Sequence, residues 1–310
     1  MNVRQLKYFV KVVEAGNMTR AAEQLHVAQP ALGMQIRQME EELGVALLNR
    51  HSRGVEPTRA GALLHERALR IIKMLDDACR EVSACDRDTS ESIRLGMTPA
   101  LMLVVGPEIA INARERVPQV FLSLTEEMSH VLVETLTRGD IDFALAYDVP
   151  DLPHIKRTPM FREDLLLVTL PGQTRGQSIA FSEAMDETLA MPEAGDTVRE
   201  LVMRTAREQG LDPKIAFEVR SIAAMKSLVL KGVAAAVLPL ASVAGEVKAS
   251  QLDARPVVSP ALRRTLFVAT PANRNPFKHE LALIGVIRAS LSCLTDMLGP
   301  LHHPLPPNEP

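Results

Sequence analysis

Residues 18–44, MTRAAEQLHVAQPALGMQIRQMEEELG, constrain the fold more than any other stretch of the chain. Ala21, Ala22 and Leu25 recur at helical spacing, and a second amphipathic pattern begins at Pro30, where a first helical turn accepts proline. Because only a very short break separates the two patterns, they predict a helix-turn-helix.

The flanking residues extend this motif in both directions. An amphipathic helix is expected around residues 6–13, and two short strands are expected on either side of a tip that contains Arg50 and Arg53. The three helices and the two-stranded wing together predict a winged helix-turn-helix domain over residues 1–58.

The second helix of such a motif places side chains near its N-terminus against base edges in the major groove. Gln29 and Gln35 can pair with adenine, and Arg37 can pair with guanine or a phosphate. Since Gln35 and Arg37 point to opposite sides of the helix, Arg37 contacts either the DNA backbone or a neighbouring subunit. Thr19 is expected to cap the N-terminus of the first helix of the motif, and to bind a DNA phosphate through its hydroxyl and the free amides beside it. Arg50 and Arg53 at the tip of the wing suit the flanking DNA backbone.

Gly33 lies one turn inside the predicted second helix, where glycine costs about 1 kcal/mol relative to alanine. Two interpretations are functional: the glycine lets the backbone approach DNA closely, or it removes one contact. Met34 can then contact a thymine methyl group. The alternative is a tolerated defect without a role in DNA binding.

A long helix is expected from Thr58. Apolar residues recur along it at alternating spacings of four and three, which is a heptad seam. Charged residues flank this narrow seam, so we predict a dimerisation helix over residues 59–88, with packing against its own domain as the alternative. The seam residues are Leu64, Ala68, Ile71, Leu75, Ala78 and Val82.

Beyond residue 90 the pattern alternates between strand-like and helix-like segments, which predicts one or two open α/β sheets. The expected strands are SIRLGM, VFLSLTEE, DFALAY, DLLLVTL, TLAMPE, IAFEVRS, AAAVLP and TLFVAT. The expected helices lie at about 100–116, 129–138, 197–209, 221–231 and 276–294. Residues 301–310 are rich in proline and are predicted to be a disordered tail with solvated histidines.

Charge is distributed unevenly along the chain. The net charge is −3, yet residues 1–75 contain 11 Lys and Arg against 7 Asp and Glu. A basic N-terminal region joined to an acidic remainder favours a polyanion partner for residues 1–75. Chance variation alone also explains the asymmetry.

Several protein classes are disfavoured. No apolar run reaches the roughly 18 residues of a membrane span, and the amphipathic N-terminus does not resemble a secretory signal. Cys79, Cys85 and Cys293 form neither a zinc spacing nor a paired framework, so we expect a cytoplasmic protein in which they are small buried apolar side chains rather than a redox pair. No catalytic, dinucleotide, phosphate-loop or metal-ligand motif occurs, so neither an enzyme nor a cofactor is expected.

The stretch LKYFVKVVEAGNMTRAAEQLHVAQPALGMQIRQMEEELGVALLNRHSRGVEPTRAG resembles the LysR-type bacterial transcriptional regulators. The matching features are the spaced alanines, the QPAL step, Ile36 four residues before Glu40, the Leu43-Gly44 pair and the T-x-A-G motif at 58–61. The sequence of this stretch is also similar to the nitrogen-assimilation and cysteine-biosynthesis control branch of that family. Over the rest of the chain the resemblance is architectural.

The resemblance implies a winged helix-turn-helix, an antiparallel linker-helix dimer, usually a homotetramer, and a small-molecule effector that controls recruitment of RNA polymerase to a double-stranded DNA operator. It implies an effector-binding domain over 91–300, with subdomain I at about 91–162 and 266–300 and subdomain II at about 163–265. Both would be Rossmann-like and similar to periplasmic binding proteins. The implied DNA contacts are Thr19, Gln29, Pro30, Gln35, Arg37, Arg50 and Arg53. The family often has Ser-Gln where this chain has Gly33-Met34.

In two-lobed α/β modules the ligand binds at the carboxyl ends of the strands, where helix N-termini supply free amides. Three places match this rule: Thr98-Pro99-Ala100, Tyr147 at a strand end, and Ser221-Ile222. Thr98 and Ser221 are also explained as helix caps alone. Because no buried cluster of arginine or lysine is evident, hydroxyls and helix dipoles are expected to hold a small anion.

Two other functions remain as alternatives. A periplasmic-type solute-binding protein without catalytic activity needs the same two lobes, but it needs a signal peptide and has no use for residues 1–88. An enzyme is less favoured, because the chemistry-bearing motifs are missing. DNA binding that weakens steeply with added salt separates a regulator from both.

Overall fold

The computed structural model describes residues 1–51, 54–84, 91–173, 176–272 and 274–305. The chain divides into two compact units, Met1–Asp86 and Arg87–Pro310. Each unit has its own buried core, and we describe each by itself.

The first unit is a three-helix domain with a two-stranded wing and a long C-terminal helix. Its core is centred on Phe9, Leu32, Ile36 and Met39, which are fully buried. The elements are α1 (Val3–Ala15), α2 (Met18–Gln24), α3 (Gln29–Leu43), β1 (Leu48–His51), β2 (Gly54–Pro57) and α4 (Arg59–Ala84). This arrangement is the predicted winged helix-turn-helix.

The start of α2 differs from the prediction. The cap is Asn17, whose side-chain oxygen accepts hydrogen bonds from the amides of Thr19 at 2.9 Å and Arg20 at 3.1 Å. Thr19 is therefore not the capping residue, and the amides of Thr19 and Arg20 already have a partner. The predicted phosphate-binding groups are the Thr19 hydroxyl and these amides, and of the two only the hydroxyl remains available.

Close backbone packing explains the T-x-A-G motif at the start of α4. The Thr58 hydroxyl accepts from the Gly61 amide at 3.0 Å and donates to the Ala46 carbonyl at 2.8 Å. A Cβ on Gly61 would lie 2.0 Å from the Leu47 carbonyl oxygen, so only glycine fits. The motif therefore fixes α4 against the segment that leads into the wing.

The second unit contains two six-stranded sheets with helices on both faces. Sheet I has the order β14-β6-β13-β5-β3-β4, and sheet II has the order β10-β9-β11-β7-β12-β8. The strands are β3 (Glu91–Met97), β4 (Val120–Glu126), β5 (Phe143–Tyr147), β6 (Ile155–Asp164), β7 (Leu166–Thr169), β8 (Ile179–Ala180), β9 (Leu189–Met191), β10 (Ile215–Glu218), β11 (Ala235–Leu238), β12 (Asp253–Val258), β13 (Arg263–Pro271) and β14 (His302–Pro304).

One helix of this unit packs against the cores of both sheets. Ala241 of the eleventh helix packs into the core of sheet I, while Val243 of the same helix packs into the core of sheet II. The helices are α5 (Pro99–Val104), α6 (Gly106–Arg116), α7 (Ser129–Arg138), α8 (Phe181–Asp186), α9 (Thr197–Gln209), α10 (Ile222–Leu230), α11 (Leu240–Lys248) and α12 (Glu280–Leu298), with a short 3-10 helix at Gly299–Leu301. We call the halves built on sheets I and II subdomain I and subdomain II.

The chain crosses between the subdomains twice, and the two crossings run side by side. The Leu165 amide, just after β6, donates to the Leu262 carbonyl, just before β13, at 2.8 Å. The sequence patterns missed β6, β8 and β12, and the family resemblance implied crossings at about residues 162 and 265. The structure continues β6 to Asp164 and begins β13 at Arg263.

The prediction of a disordered tail over residues 301–310 is wrong for residues 302–304. His302–Pro304 forms β14, which pairs antiparallel with β6 at the edge of sheet I. His302 packs edge-on against Phe161, and His303 contacts the Asp164 carboxylate at 2.9 Å, so neither histidine is simply solvated. Residues 306–310 lie outside the described residues.

The expectation that no segment reaches membrane-span length also needs correction. Glu280–Leu301 is long and apolar enough to cross a membrane by length and composition. In the structure, however, Leu283, Ile287 and Leu294 of α12 are fully buried in the core of sheet I. Packing within the protein thus accounts for the buried face of α12, while Leu281 at the start of the helix is 86% exposed.

Candidate functional site

The exposed face of α2 and α3 carries most of the predicted DNA contacts. Five of them are solvent-exposed: Thr19, Gln29, Pro30, Met34 and Arg37. Gln35 is half-buried. Met34 is 60% exposed, which is unusual for a large apolar side chain and suits contact with an apolar group on a partner.

Gly33 is itself buried, but Gln29 and Arg37, four positions before and after it on the same side of α3, are exposed. A Cβ at this position would meet nothing within 4 Å, so packing within the chain does not require glycine here. The interpretations of Gly33 therefore differ only in its contacts with bound DNA, and they remain predictions.

Sequence reasoning missed Gln38, which is exposed one turn beyond Met34 on the same face. Its side-chain oxygen accepts from Gln5 Nε2 of α1 at 3.3 Å. In the sequence, Gln38 follows Met34 by four residues, and this spacing predicts that the two side chains lie on the same side of the helix. In the wing, the Arg50 backbone pairs with Val55 in the β1–β2 ladder, and Arg53 lies outside the described residues.

The predicted dimerisation seam on α4 splits into two parts. Ala68 is fully buried in the core of the first unit and Leu64 packs against that core, so for these two the intradomain alternative is correct. The second part remains exposed and is joined by apolar side chains that the heptad pattern missed. The exposed apolar residues of α4 are Leu63, Ile71, Met74, Leu75, Ala78 and Val82.

In the second unit, a cleft lies at the carboxyl ends of strands from both sheets. Thr98 follows β3, Ser129 follows β4, and Pro239 follows β11. The cavity contains about 470 Å³ of space between atoms, including solvent-open space. It is lined by Thr98, Pro99, Ala100, Met128, Ser129, Pro192, Asp196, Thr197, Val198, Ile222, Met225, Val237, Leu238, Pro239 and Arg264.

One hydrogen-bond donor in this cavity is buried and lacks a partner among the described residues. Thr98 is 6% exposed and precedes α5, but its hydroxyl caps no amide there and makes no other hydrogen bond. Arg264 is also 6% exposed, and its Nη2 is ion-paired with the Glu163 carboxylate. A buried donor without a partner costs free energy, so Thr98 favours a ligand that accepts a hydrogen bond.

Arg264 is the functional residue that the sequence missed. Its Nε donates to Glu163 Oε1 at 2.7 Å, and its guanidinium carbon lies 3.5 Å from the centre of the Tyr147 ring. The sequence pattern indicated no buried cluster of arginine or lysine, and the structure adds this single buried arginine to the cavity lining. In the sequence the charged pair Arg263-Arg264 precedes a strand-like run, but only the pairing of β6 with β13 brings Arg264 to Glu163.

Burial around Arg264 changes the acid-base behaviour of its neighbours. Desolvation and the adjacent Glu163 carboxylate raise the pKa of Tyr147 well above its usual value of 10, so the phenol stays protonated. Arg264 itself keeps its charge, because Glu163 and the other acidic neighbours outweigh the desolvation that lowers its pKa. The cluster thus presents a neutral phenol and a charged guanidinium.

The helix N-termini at the cleft are of two kinds. In subdomain II, Asp196 caps α9 by accepting from the Val198 amide at 2.8 Å, and Ser221 caps α10 by accepting from the Ala224 amide. In subdomain I, no side chain among the described residues caps α7, which begins at Ser129. Among the described residues, helix N-termini without a side-chain cap therefore occur in both subdomains, at α7 and at α11, which follows the cavity-lining Pro239.

These positions divide the predicted effector residues. Thr98, Pro99, Ala100 and Ile222 line the cavity. Ser221 is exposed and acts as a cap, which favours the alternative interpretation for that residue. Tyr147 does not line the cavity but is fully buried and packs beneath Arg264, which does.

Two of the three cysteines lie in the described part of the chain. Cys79 and Cys293 are exposed free thiols, so the expectation of burial is wrong for both, and Cys85 lies outside the described residues. Within the described part of the chain, no cluster of three or more His, Cys, Asp or Glu side chains is placed to hold a metal ion.

Comparisons with known proteins agree with this architecture. The family model described as bacterial regulatory helix-turn-helix protein, lysR family, matches residues 3–62, and the LysR substrate binding domain matches residues 86–292. The nitrogen assimilation regulatory protein nac of Klebsiella aerogenes is 34% identical over 241 residues, covering 77% of this chain and 78% of that protein.

Two further relatives extend the comparison. The DNA-binding transcriptional dual regulator OxyR of Escherichia coli K12 is 32% identical over 273 residues, covering 86% of this chain and 88% of that protein. The solved structure of full-length CbnR complexed with its target DNA is 26% identical with a TM-score of 0.60, covering 94% of this chain and 100% of that one. The chain belongs to the LysR family and is a DNA-binding transcriptional regulator with an effector-binding domain.

Proposed function

We propose that the first unit binds a double-stranded DNA operator through the exposed face of α3, with the Thr19 hydroxyl and the wing at flanking phosphates. The observation that carries this proposal is the set of exposed side chains at and after the N-terminus of α3, Gln29, Met34 and Arg37, on a helix otherwise anchored by buried Leu32 and Ile36. The structure of CbnR with its target DNA supports the same use of the motif.

The chain functions as a homo-oligomer in this proposal. The exposed apolar residues of α4 are stabilised when they are buried away from water. A second copy of the same helix presents a matching apolar surface that buries them. A homodimer through α4, further assembled into a tetramer, matches the family resemblance. Effector binding in the cleft then changes recruitment of RNA polymerase in the cytoplasm, without catalysis.

A gel-shift titration tests DNA binding. Arg37→Ala should weaken operator binding about tenfold and reduce its dependence on salt concentration, because one phosphate or base contact is lost. Arg114→Ala is the matched control, since Arg114 is an exposed arginine on α6 in the other unit. Equal affinities for the two variants would contradict the assignment of α3 as the DNA-binding helix.

A light-scattering measurement tests the interface. Ile71→Lys with Val82→Lys should convert the oligomer to monomers, because buried lysine charges oppose association. Lys231→Glu, which changes an exposed charge in the second unit, is the control. An oligomer that persists in the double variant would place the interface elsewhere.

The solute-binding alternative is not favoured, because residues 3–62 match a family of DNA-binding regulators. A solute-binding protein would bind small molecules without any affinity for DNA. The same gel-shift titration therefore separates the two functions.

A further inference from the structure

We infer that Gln5 of α1 is a positioning residue for DNA binding: it holds the side-chain amide of Gln38 so that Gln38 offers DNA a hydrogen-bond donor and not an acceptor. This inference rests on the proposed role of the exposed face of α3 in DNA binding. It adds a further contact residue of fixed polarity, and a buried residue that sets this polarity without touching DNA.

The N-terminal cap of α1 fixes the orientation of the Gln5 side chain. The Gln5 backbone amide donates to Asn2 Oδ1 at 3.0 Å, and the Asn2 backbone amide donates to Gln5 Oε1 at 2.9 Å, which is a capping box. Because a backbone amide only donates, the side-chain atom that receives it must be the Gln5 oxygen. The Gln5 Nε2 therefore points away from the cap.

The Gln5 nitrogen in turn fixes the orientation of Gln38. Gln5 is 4% exposed, so its Nε2 requires an acceptor within the protein, and it donates to Gln38 Oε1 at 3.3 Å. Reversing the Gln38 amide would set two NH2 groups against each other. The Gln38 oxygen is therefore turned toward Gln5, while Gln38 Nε2 is exposed and donates to no described residue.

Gln38 lies at the C-terminal limit of the exposed face of α3. It follows Met34 by one turn and is next to exposed Arg37. One turn further on the same side is the exposed carboxylate of Glu41, which repels phosphate. Gln38 is therefore the last residue of this face with a donor to offer DNA.

A donor without an acceptor restricts what Gln38 can recognise. Glutamine pairs with adenine by donating to N7 and accepting from the N6 amino group, and the oxygen needed for the second bond is turned toward Gln5. A donor alone suits a phosphate oxygen, or the acceptor atoms of guanine and thymine. Gln38 thus differs from Gln29 and Gln35, for which pairing with adenine was predicted.

A double-mutant cycle in the full-length protein tests the positioning by gel shift. The probe is a duplex that the unaltered protein selects from a random-sequence pool. Gln5→Glu keeps an oxygen for the Asn2 amide but cannot donate, so the Gln38 amide reverses and turns its oxygen toward DNA. We expect the loss of affinity from Gln5→Glu to be about fivefold larger than in a Gln38→Met background, where the added charge acts alone. Equal losses in the two backgrounds would overturn the inference.

Gln5→Met is the second variant, since it places no charge at the buried position. It leaves the Gln38 amide free to turn either way, so it should weaken binding about two- to threefold, and have no effect in the Gln38→Met background. If Gln5→Glu does not fold, this cycle decides in its place. The same loss in both backgrounds again contradicts a role of Gln5 through Gln38.

Repeating the selection with Gln38→Met identifies the acceptor on DNA. A changed base preference at one position assigns the acceptor to a base edge, whereas weaker binding to all duplexes with unchanged preference assigns it to a phosphate. Either result supports the inference. Unchanged affinity and preference would overturn it.

The excluded pair with adenine is tested in the probe itself. Each adenine is replaced in turn by purine, which lacks the N6 amino group. We expect every replacement to change the affinities of the unaltered protein and of Gln38→Met by the same factor. A replacement that weakens only the unaltered protein would overturn the inference, because the Gln38 oxygen would then accept from N6. Failure of the unaltered protein to select any duplex contradicts the proposed function, whereas selection without coupling between Gln5 and Gln38 contradicts this inference alone.

Discussion

The DNA-binding surface and the cleft are built in opposite ways. The surface comes from one continuous stretch, in which α2 and α3 follow each other and expose Thr19, Met34 and Arg37. The cleft brings together residues such as Thr98, Asp196 and Arg264, which are far apart in sequence and largely buried. Local caps and periodicity thus determine the first site, while strand pairing determines the second.

The largest effect is expected from the buried pair behind the cleft. Arg264→Met should reduce the free energy of unfolding of the second unit by about 3–5 kcal/mol, because it leaves the buried Glu163 carboxylate without its partner. Adding Glu163→Met should restore much of this loss, since no buried charge remains. Denaturant unfolding measures both variants, and a double variant less stable than Arg264→Met would contradict the pairing argument.

A second test concerns close packing in the first unit. Gly61→Ala should destabilise that unit by about 2–3 kcal/mol, because the new Cβ would lie 2.0 Å from the Leu47 carbonyl oxygen. Thermal melts should show an early transition accompanied by loss of operator binding. If the variant is as stable as the unaltered protein, α4 does not approach the wing segment as closely as described.

A third, smaller effect is expected at the end of α3. The Glu40 carboxylate accepts from the amides of Leu47 at 2.8 Å and Leu48 at 3.2 Å. Glu40→Ala should cost about 1–2 kcal/mol, because both amides lose a charged acceptor. Glu40→Gln keeps one acceptor oxygen and serves as the control, with a smaller loss in the same urea titration.

The smallest effect should have the opposite sign. Gly33→Ala should stabilise the first unit by about 0.5–1 kcal/mol, because its Cβ enters open space and alanine favours the helix. Operator affinity should stay within about twofold, in contrast to the loss expected for Gly61→Ala. A strong loss of DNA binding with unchanged stability would show that Gly33 approaches DNA after all.

The predictable parts of the fold are those with strong periodicity. All eight predicted strands overlap β3, β4, β5, β7, β9, β10, β11 and β13. The buried strands β5, β7, β9 and β11 read as continuous apolar runs, which are easily recognised in a sequence. The missed strands β6 and β12 carry charged residues and an internal proline, which weakens such a pattern. The heptad reading of α4 failed at Ala68, since a periodic seam does not reveal which core it joins.

The sequence by itself determined the helix-turn-helix, its exposed polar face and the alternating α/β pattern, because caps and hydrophobic periodicity act over a few residues. Only the tertiary structure decided that Gly33 is buried, that Ile222 lines the cleft, and that Arg264 lies at the cleft beside Glu163. These outcomes depend on which strands pair and which helix faces are covered. A contact between two residues about a hundred positions apart, such as Glu163 and Arg264, cannot be recognised in the local sequence pattern around either residue.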